Sequence, residues 1–130
     1  MKKIKIYVAS PYTNGWMPDN VRLQIEAQHI LLDNGFVTFI PLLSHFSELY
    51  KSRSHEDWLQ LDLEWLKLCN ILIRIKSSYN NIDVPSPGAD KEVEVAIENS
   101  IPIYIVYSLN ELKEWAENFN KNEFLKTIYK

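Results

Sequence analysis

Apolar positions fall along this chain in short dense runs, separated by longer stretches where they recur every three or four residues. Ile4 to Ala9 is short, β-branched and aromatic, and Ser10-Pro11 breaks it; such a run reads as a buried strand. Phe36 to Ile40 (closed by Pro41), Ile71 to Ile75, and Ile101 to Tyr107 repeat the pattern and predict three more strands. Between the first two, Asp19 or Asn20 can cap a helix running to about Asn34, with Val21, Ile25 and Leu32 on one face and Gly35 as its stop. Ser54-His55-Glu56-Asp57 has the form of a capping box with Asp in place of Glu, and its helix reaches about Cys69. Ser86 caps a further helix that has Pro87 at its first position and runs to about Asn99. Ser108-Leu109-Asn110-Glu111 is a full capping-box pattern, opening a helix with Leu112, Trp115 and Phe119 on one face. Asn120 to Lys130 is mixed, with Phe124, Leu125 and Ile128 able to dock as a short last turn. Ser10 to Pro18, Leu42 to Arg53 and Ser77 to Pro85 read as loops, the middle one long.

The order is βαβαβαβα. It predicts an α/β fold: a flavodoxin- or Rossmann-like three-layer sandwich, with a four- or five-stranded parallel sheet covered on both faces by right-handed crossovers. No repeat, low-complexity tract or linker divides the 130 residues, so residues 1–130 form one domain. Ligands of such sheets bind beyond the carboxyl ends of the strands, where the strand order switches. That rule gathers Ser10 to Pro18, Pro41 to Arg53, Ser77 to Ser86 and Ser108 to Asn110 on one rim.

Composition narrows the function without naming it. Hydrophobic residues at 46% and charged residues at 24% describe an ordinary soluble globular domain. A formal net charge of -3 offers no basic face for a nucleic acid, although a small nucleotide needs only local donors. Cys69 is the one cysteine, so no intrachain disulfide forms, and it reads as a buried core thiol. The apolar run after Lys2-Lys3 is too short for a signal peptide, and none approaches the ~18 residues that span a membrane. The expectation is a cytoplasmic protein with no membrane partner.

The candidate chemistry centres on Ser86-Pro87-Gly88-Ala89-Asp90-Lys91-Glu92. A Gly just inside a helix start lets backbone approach a ligand closely. Glu92 follows about one and a half turns in, near a helix N-terminus that favours an ionised carboxylate. Tyr7, inside the first strand, is either a core residue or a functional one, and its hydroxyl needs a partner if buried. Asp62 stands four residues after Trp58 and four before Leu66, so it shares an apolar helix face. A carboxylate there either finds a partner or has a raised pKa. His45 lies in the long rim loop; His29 and His55 read as a helix-surface and a first-turn residue. No His/Cys/Asp/Glu spacing forms a metal site, and no Walker-type loop or dinucleotide fingerprint occurs.

Three pieces in order resemble the nucleoside 2-deoxyribosyltransferase-like superfamily, which includes deoxyribosyltransferases and 2'-deoxynucleoside 5'-monophosphate N-glycosidases. They are Ile6-Tyr7-Val8-Ala9-Ser10-Pro11, Asp62 followed by Leu66-Lys67-Leu68-Cys69-Asn70, and Ser86-x-Gly88-x-x-x-Glu92-x-x-x-Ala96. The resemblance covers roughly Lys5 to Tyr107. It implies that Glu92 is a nucleophile, that Tyr7 orients it, and that Asp62 handles the proton on the base. It implies a base-contacting side chain after the second strand, where His45 stands, and a phosphate or sugar lined by Ser10, Thr13, Ser86 and Gly88. It also implies no cofactor, a small nucleoside or nucleotide partner, and a homodimer or higher homo-oligomer in which Ser108 or Asn110 is nearest to a neighbour's site. Two departures matter. Asn70 replaces a frequent Asp. Transferases acting on nucleosides carry Asp six residues before the nucleophile, whereas this chain has Ser86, as the monophosphate N-glycosidases do. A Ser hydroxyl suits a phosphate, which a carboxylate repels, although the first loop holds no Arg. The alternative expectation is a nucleotide-binding or sensing module without turnover, and a third is an interaction domain with no small ligand.

Overall fold

The structure is a computed structural model and describes residues 2–76, 78–79 and 82–128. The elements are β1 (Lys5–Ala9), α1 (Met17–Asp33), β2 (Val37–Phe39), α2 (Ser44–Tyr50), α3 (His55–Leu66), β3 (Ile71–Ile75), β4 (Ser78–Tyr79), β5 (Ile82–Asp83), α4 (Pro87–Glu98), β6 (Ile103–Val106), α5 (Leu109–Asn118) and α6 (Lys121–Ile128). Four strands make an all-parallel sheet in the order β2-β1-β3-β6, with Tyr7 between Phe39 and Leu72. The chain leaves β1 toward β2 and leaves β3 toward β6. The two neighbouring strand ends therefore part in opposite directions, which opens a crevice between them.

Strand alternation sorts the core into two layers. Ile4, Ile6 and Val8, with Ile71, Ile73 and Ile75, pack against Ala27 and Leu31 of α1 and Leu112 of α5. Tyr7, Ala9 and Leu72 face the other way, against Leu63 and Leu66 of α3 and Val95 and Ala96 of α4. That parity puts the Tyr7 ring on the layer that carries α4. The three serine caps are as the sequence predicts. Ser54, Ser86 and Ser108 accept from Asp57 N, Ala89 N and Glu111 N at 3.0, 3.2 and 3.1 Å. Glu111 reaches back to Tyr107 N at 2.7 Å.

Several boundaries and faces differ from the sequence expectation. Helix α1 begins at Met17 with Pro18 in its first turn, where a missing N–H is harmless. Asn20 is not the cap; it is buried, and its Nδ2 donates to Tyr12 O at 2.8 Å and Asn14 O at 2.7 Å, clamping the β1–α1 loop. The inward stripe of α1 is Asn20, Val21, Gln24, Ala27 and Leu31, while Leu32 falls just beyond the edge that Val21 marks and is exposed. Gly35 does end the helix: it has φ 86°, its N–H meets Leu32 O, and Phe36 N meets Leu31 O, a Schellman motif.

The segment read as one long loop is a 3-10 turn, Pro41–Leu43, followed by α2. No residue of α2 is buried, so it has no core-facing stripe to betray it. Helix α3 stops at Leu66, and Cys69 is half-buried rather than core. Its thiol, pushed up to about 11 by burial, stays protonated. In the Asn-rich segment, β4 and β5 pair antiparallel, while Ser77, Asn80 and Asn81 lie outside the described residues. The tail forms α6, an eight-residue helix that sets Phe124 against Phe119 at 5.6 Å between ring centroids.

Candidate active site

The crevice at the switch point is a cleft of about 580 Å³. Helix α4 contributes Glu92 to its wall, and β1 sets Tyr7 behind it. The Tyr7 hydroxyl donates to Glu92 Oε2, joining residues 85 positions apart in the chain. Both are buried, Tyr7 fully and Glu92 to 6% exposure at the cleft wall. Burial raises the Glu92 pKa well above the ordinary carboxyl value. The phenol acts in the opposite sense, because a hydrogen bond donated to the carboxylate favours its ionised form. Asp62 faces the same cleft from α3, beside Trp58 and Leu59. Burial pushes its pKa up to about 7. The apolar helix face on which it sits is thus the cleft lining, and Asp62 is a carboxyl that exchanges its proton near neutral pH.

The rim is rich in donors. Ser10 and Thr13 come from the β1–α1 loop, and Ser86 and Gly88 from the start of α4. Ser86 Oγ already accepts from Ala89 N, so its own proton remains for a ligand. Pro87 has no N–H, Ala89 N meets Ser86 Oγ and Asp90 N meets Ser86 O at 2.9 Å. The Gly88 amide is therefore the first-turn donor without a protein acceptor among the described residues. A Cβ on Gly88 would stand 3.6 Å from His55 Cε1, an ordinary contact. Packing does not demand the glycine; its bareness exposes that backbone to the cleft.

Of the residues singled out from sequence, Ser10, Thr13, Asp62, Ser86, Gly88 and Glu92 line one cleft, with Tyr7 beneath Glu92. His45 and Asn110 do not line it. His45 Nδ1 meets the Tyr12 hydroxyl at 2.7 Å, and Tyr12 forms the wall in its place. Asn110 follows β6, which is separated from β1 by β3, and is exposed in the first turn of α5. Among the lining residues that the sequence reading did not single out as site residues are Tyr12, Glu48, Arg53, His55 and Trp58. Glu48 ties two of them, Arg53 and Trp58, together. It accepts from Ser52 Oγ at 2.6 Å, from Arg53 N at 2.9 Å and from Trp58 Nε1, and these bonds hold its pKa below the usual range. Only the four-residue spacing of Trp58 and Asp62 signalled any of this in the sequence. Among the described residues, no three His, Cys, Asp or Glu side chains gather as a metal site.

Among solved structures, the chain is similar to the 2-deoxyribosyltransferase of the psychrotolerant bacterium Bacillus psychrosaccharolyticus, described as a biocatalyst for the synthesis of antiviral and antitumoral nucleosides. The TM-score is 0.66 at 19% identity, over 92% of this chain and 95% of that one. The likeness is one of fold, and it extends over nearly the whole of both chains. No protein-family model and no curated protein sequence matches.

Proposed function

We propose that this chain belongs to the nucleoside 2-deoxyribosyltransferase-like superfamily and cleaves the N-glycosidic bond of a (deoxy)nucleoside or its 5'-monophosphate. The observation that carries the reading is the buried Tyr7–Glu92 hydrogen bond, set in the wall of a cleft that also holds a carboxyl with a pKa of about 7. A Glu92 oxygen attacks C1' while the C1'–N bond breaks and the base leaves with its electron pair. Asp62 supplies the proton that neutralises the departing base. The resulting glycosyl ester is opened at C1' by water, whose proton returns to Asp62, or by a second base. The attacking form is the carboxylate, which the hydrogen bond donated by Tyr7 favours against the opposing effect of burial.

A 5'-monophosphate is the better fit within this class. The Ser86 proton and the Gly88 N–H face the cleft, and the positive charge missing from the first loop comes from Arg53, with His55 beside Gly88. The chain is proposed to act in the cytosol as a homo-oligomer. Phe46, Leu49 and Tyr50 of α2 and Leu61, Trp65 and Leu68 on the outer side of α3 and its end are exposed apolar residues suited to a second copy. The deciding experiment incubates the protein with nucleosides and 5'-monophosphates, with and without a free acceptor base, and separates the products by chromatography. Free base without an acceptor means hydrolysis, and an exchanged nucleotide means transfer. Tight binding with no base released contradicts the enzymatic reading and leaves a sensing module.

A further inference from the structure

We infer that Gln24 is a positioning residue, which fixes Ser10 as a hydrogen-bond donor into the cleft. Gln24 is fully buried in α1 and meets three partners. Its Nε2 donates to Val8 O at 3.2 Å and to Ser10 Oγ at 2.9 Å, and its Oε1 accepts from Leu42 N at 3.1 Å. The amide orientation is therefore set by groups whose polarity is not in question. The Val8 carbonyl demands an N–H, and the Leu42 amide demands an oxygen.

The consequence falls on Ser10. A hydroxyl has one proton and two lone pairs, and one lone pair is taken by Gln24. The proton has no protein acceptor among the described residues, and Ser10 lines the cleft while only 5% exposed. A nearly buried hydroxyl with an unused proton calls for an acceptor from the ligand. Gln24 also joins two walls. Ser10 follows β1, Leu42 lies in the 3-10 turn after β2, and both border the cleft. A single side chain thus sets the spacing of these walls and the direction of the Ser10 proton. The group received there is an acceptor oxygen on the pentose or its 5' phosphate. Only the naming of that ligand rests on the glycosidase reading.

The test is a double-mutant cycle of wild type, Gln24→Glu, Ser10→Ala and the double variant. A carboxyl has the shape of the amide but carries at most one proton, so it cannot donate to both Val8 O and Ser10 Oγ. Ser10 then turns its own proton onto Glu and away from the cleft. Binding of 2-deoxyribose 5-phosphate is read by the change in tryptophan fluorescence, to which Trp58 in the cleft wall responds. Base release from a deoxynucleoside 5'-monophosphate gives KM and kcat. We expect each single variant to weaken binding roughly tenfold, with KM rising more than kcat falls. The double variant should bind no more weakly than Ser10→Ala alone, within about twofold. Binding by Ser10→Ala within twofold of wild type overturns the inference, and so do effects that simply multiply. Should Gln24→Glu not fold, Gln24→Met, which deletes both donations without adding charge, takes its place. A wild type that binds the sugar phosphate but releases no base contradicts the enzymatic reading and leaves this inference standing.

Discussion

At the scale of single residues, two carboxyls are kept in a state that water would not give them. Asp62 ionises at 3.8 when free and near 7 in the fold. Its folded pKa is raised, so the stability it contributes is fully present below about 3.8 and is lost as pH rises through about 7. Asp62→Asn should therefore raise the melting temperature at pH 8 by about 3–8 °C, and by less at pH 5. A melting temperature unchanged or lowered at pH 8 would refute that environment. The same proton is the catalytic one. The wild-type kcat/KM should fall as pH passes about 7, and Asp62→Asn should abolish that limb while losing roughly a hundredfold or more in rate. The sequence marked Asp62 as anomalous because it broke an apolar face, and Glu92 because it followed a helix start. Only the family resemblance paired Tyr7 with Glu92; the residue pattern alone did not, since that contact depends on which side of β1 faces α4.

At the scale of elements, the start of α4 does two things at once. Ser86 caps the helix and offers its proton to the cleft. Aspartate caps helices as well as serine does but repels an anion. Ser86→Asp should leave the melting temperature within a few degrees and lower kcat/KM on a 5'-monophosphate by roughly tenfold or more, with a much smaller change on the nucleoside. Equal losses on both substrates would remove the phosphate from this end of the cleft. The capped helices α3, α4 and α5 were legible because Ser at a cap and apolar spacing agree there. Helix α2 was not, because it buries nothing and its apolar residues face outward. For that reason the wall that it carries, with Glu48 at its centre, went unread.

At the scale of the whole molecule, the parallel sheet and its two layers followed from alternation of strand and helix. The strand order β2-β1-β3-β6 then explains why the site sits beyond β1 and β3 and why Asn110, after β6, stands apart. What the chain does with its outward apolar residues is a question about more than one copy. Sedimentation of the purified protein should give a dimer or larger species, and Leu49→Glu with Tyr50→Glu should shift it toward the monomer. A monomer at every concentration would remove the oligomer from the account. The central claim is that Glu92 is the nucleophile, and the most direct measurement is the rate of base release by wild type and Glu92→Ala, each shown by melting to be folded. The account predicts that the variant is slower by roughly a thousandfold or more; a rate close to wild type would contradict it.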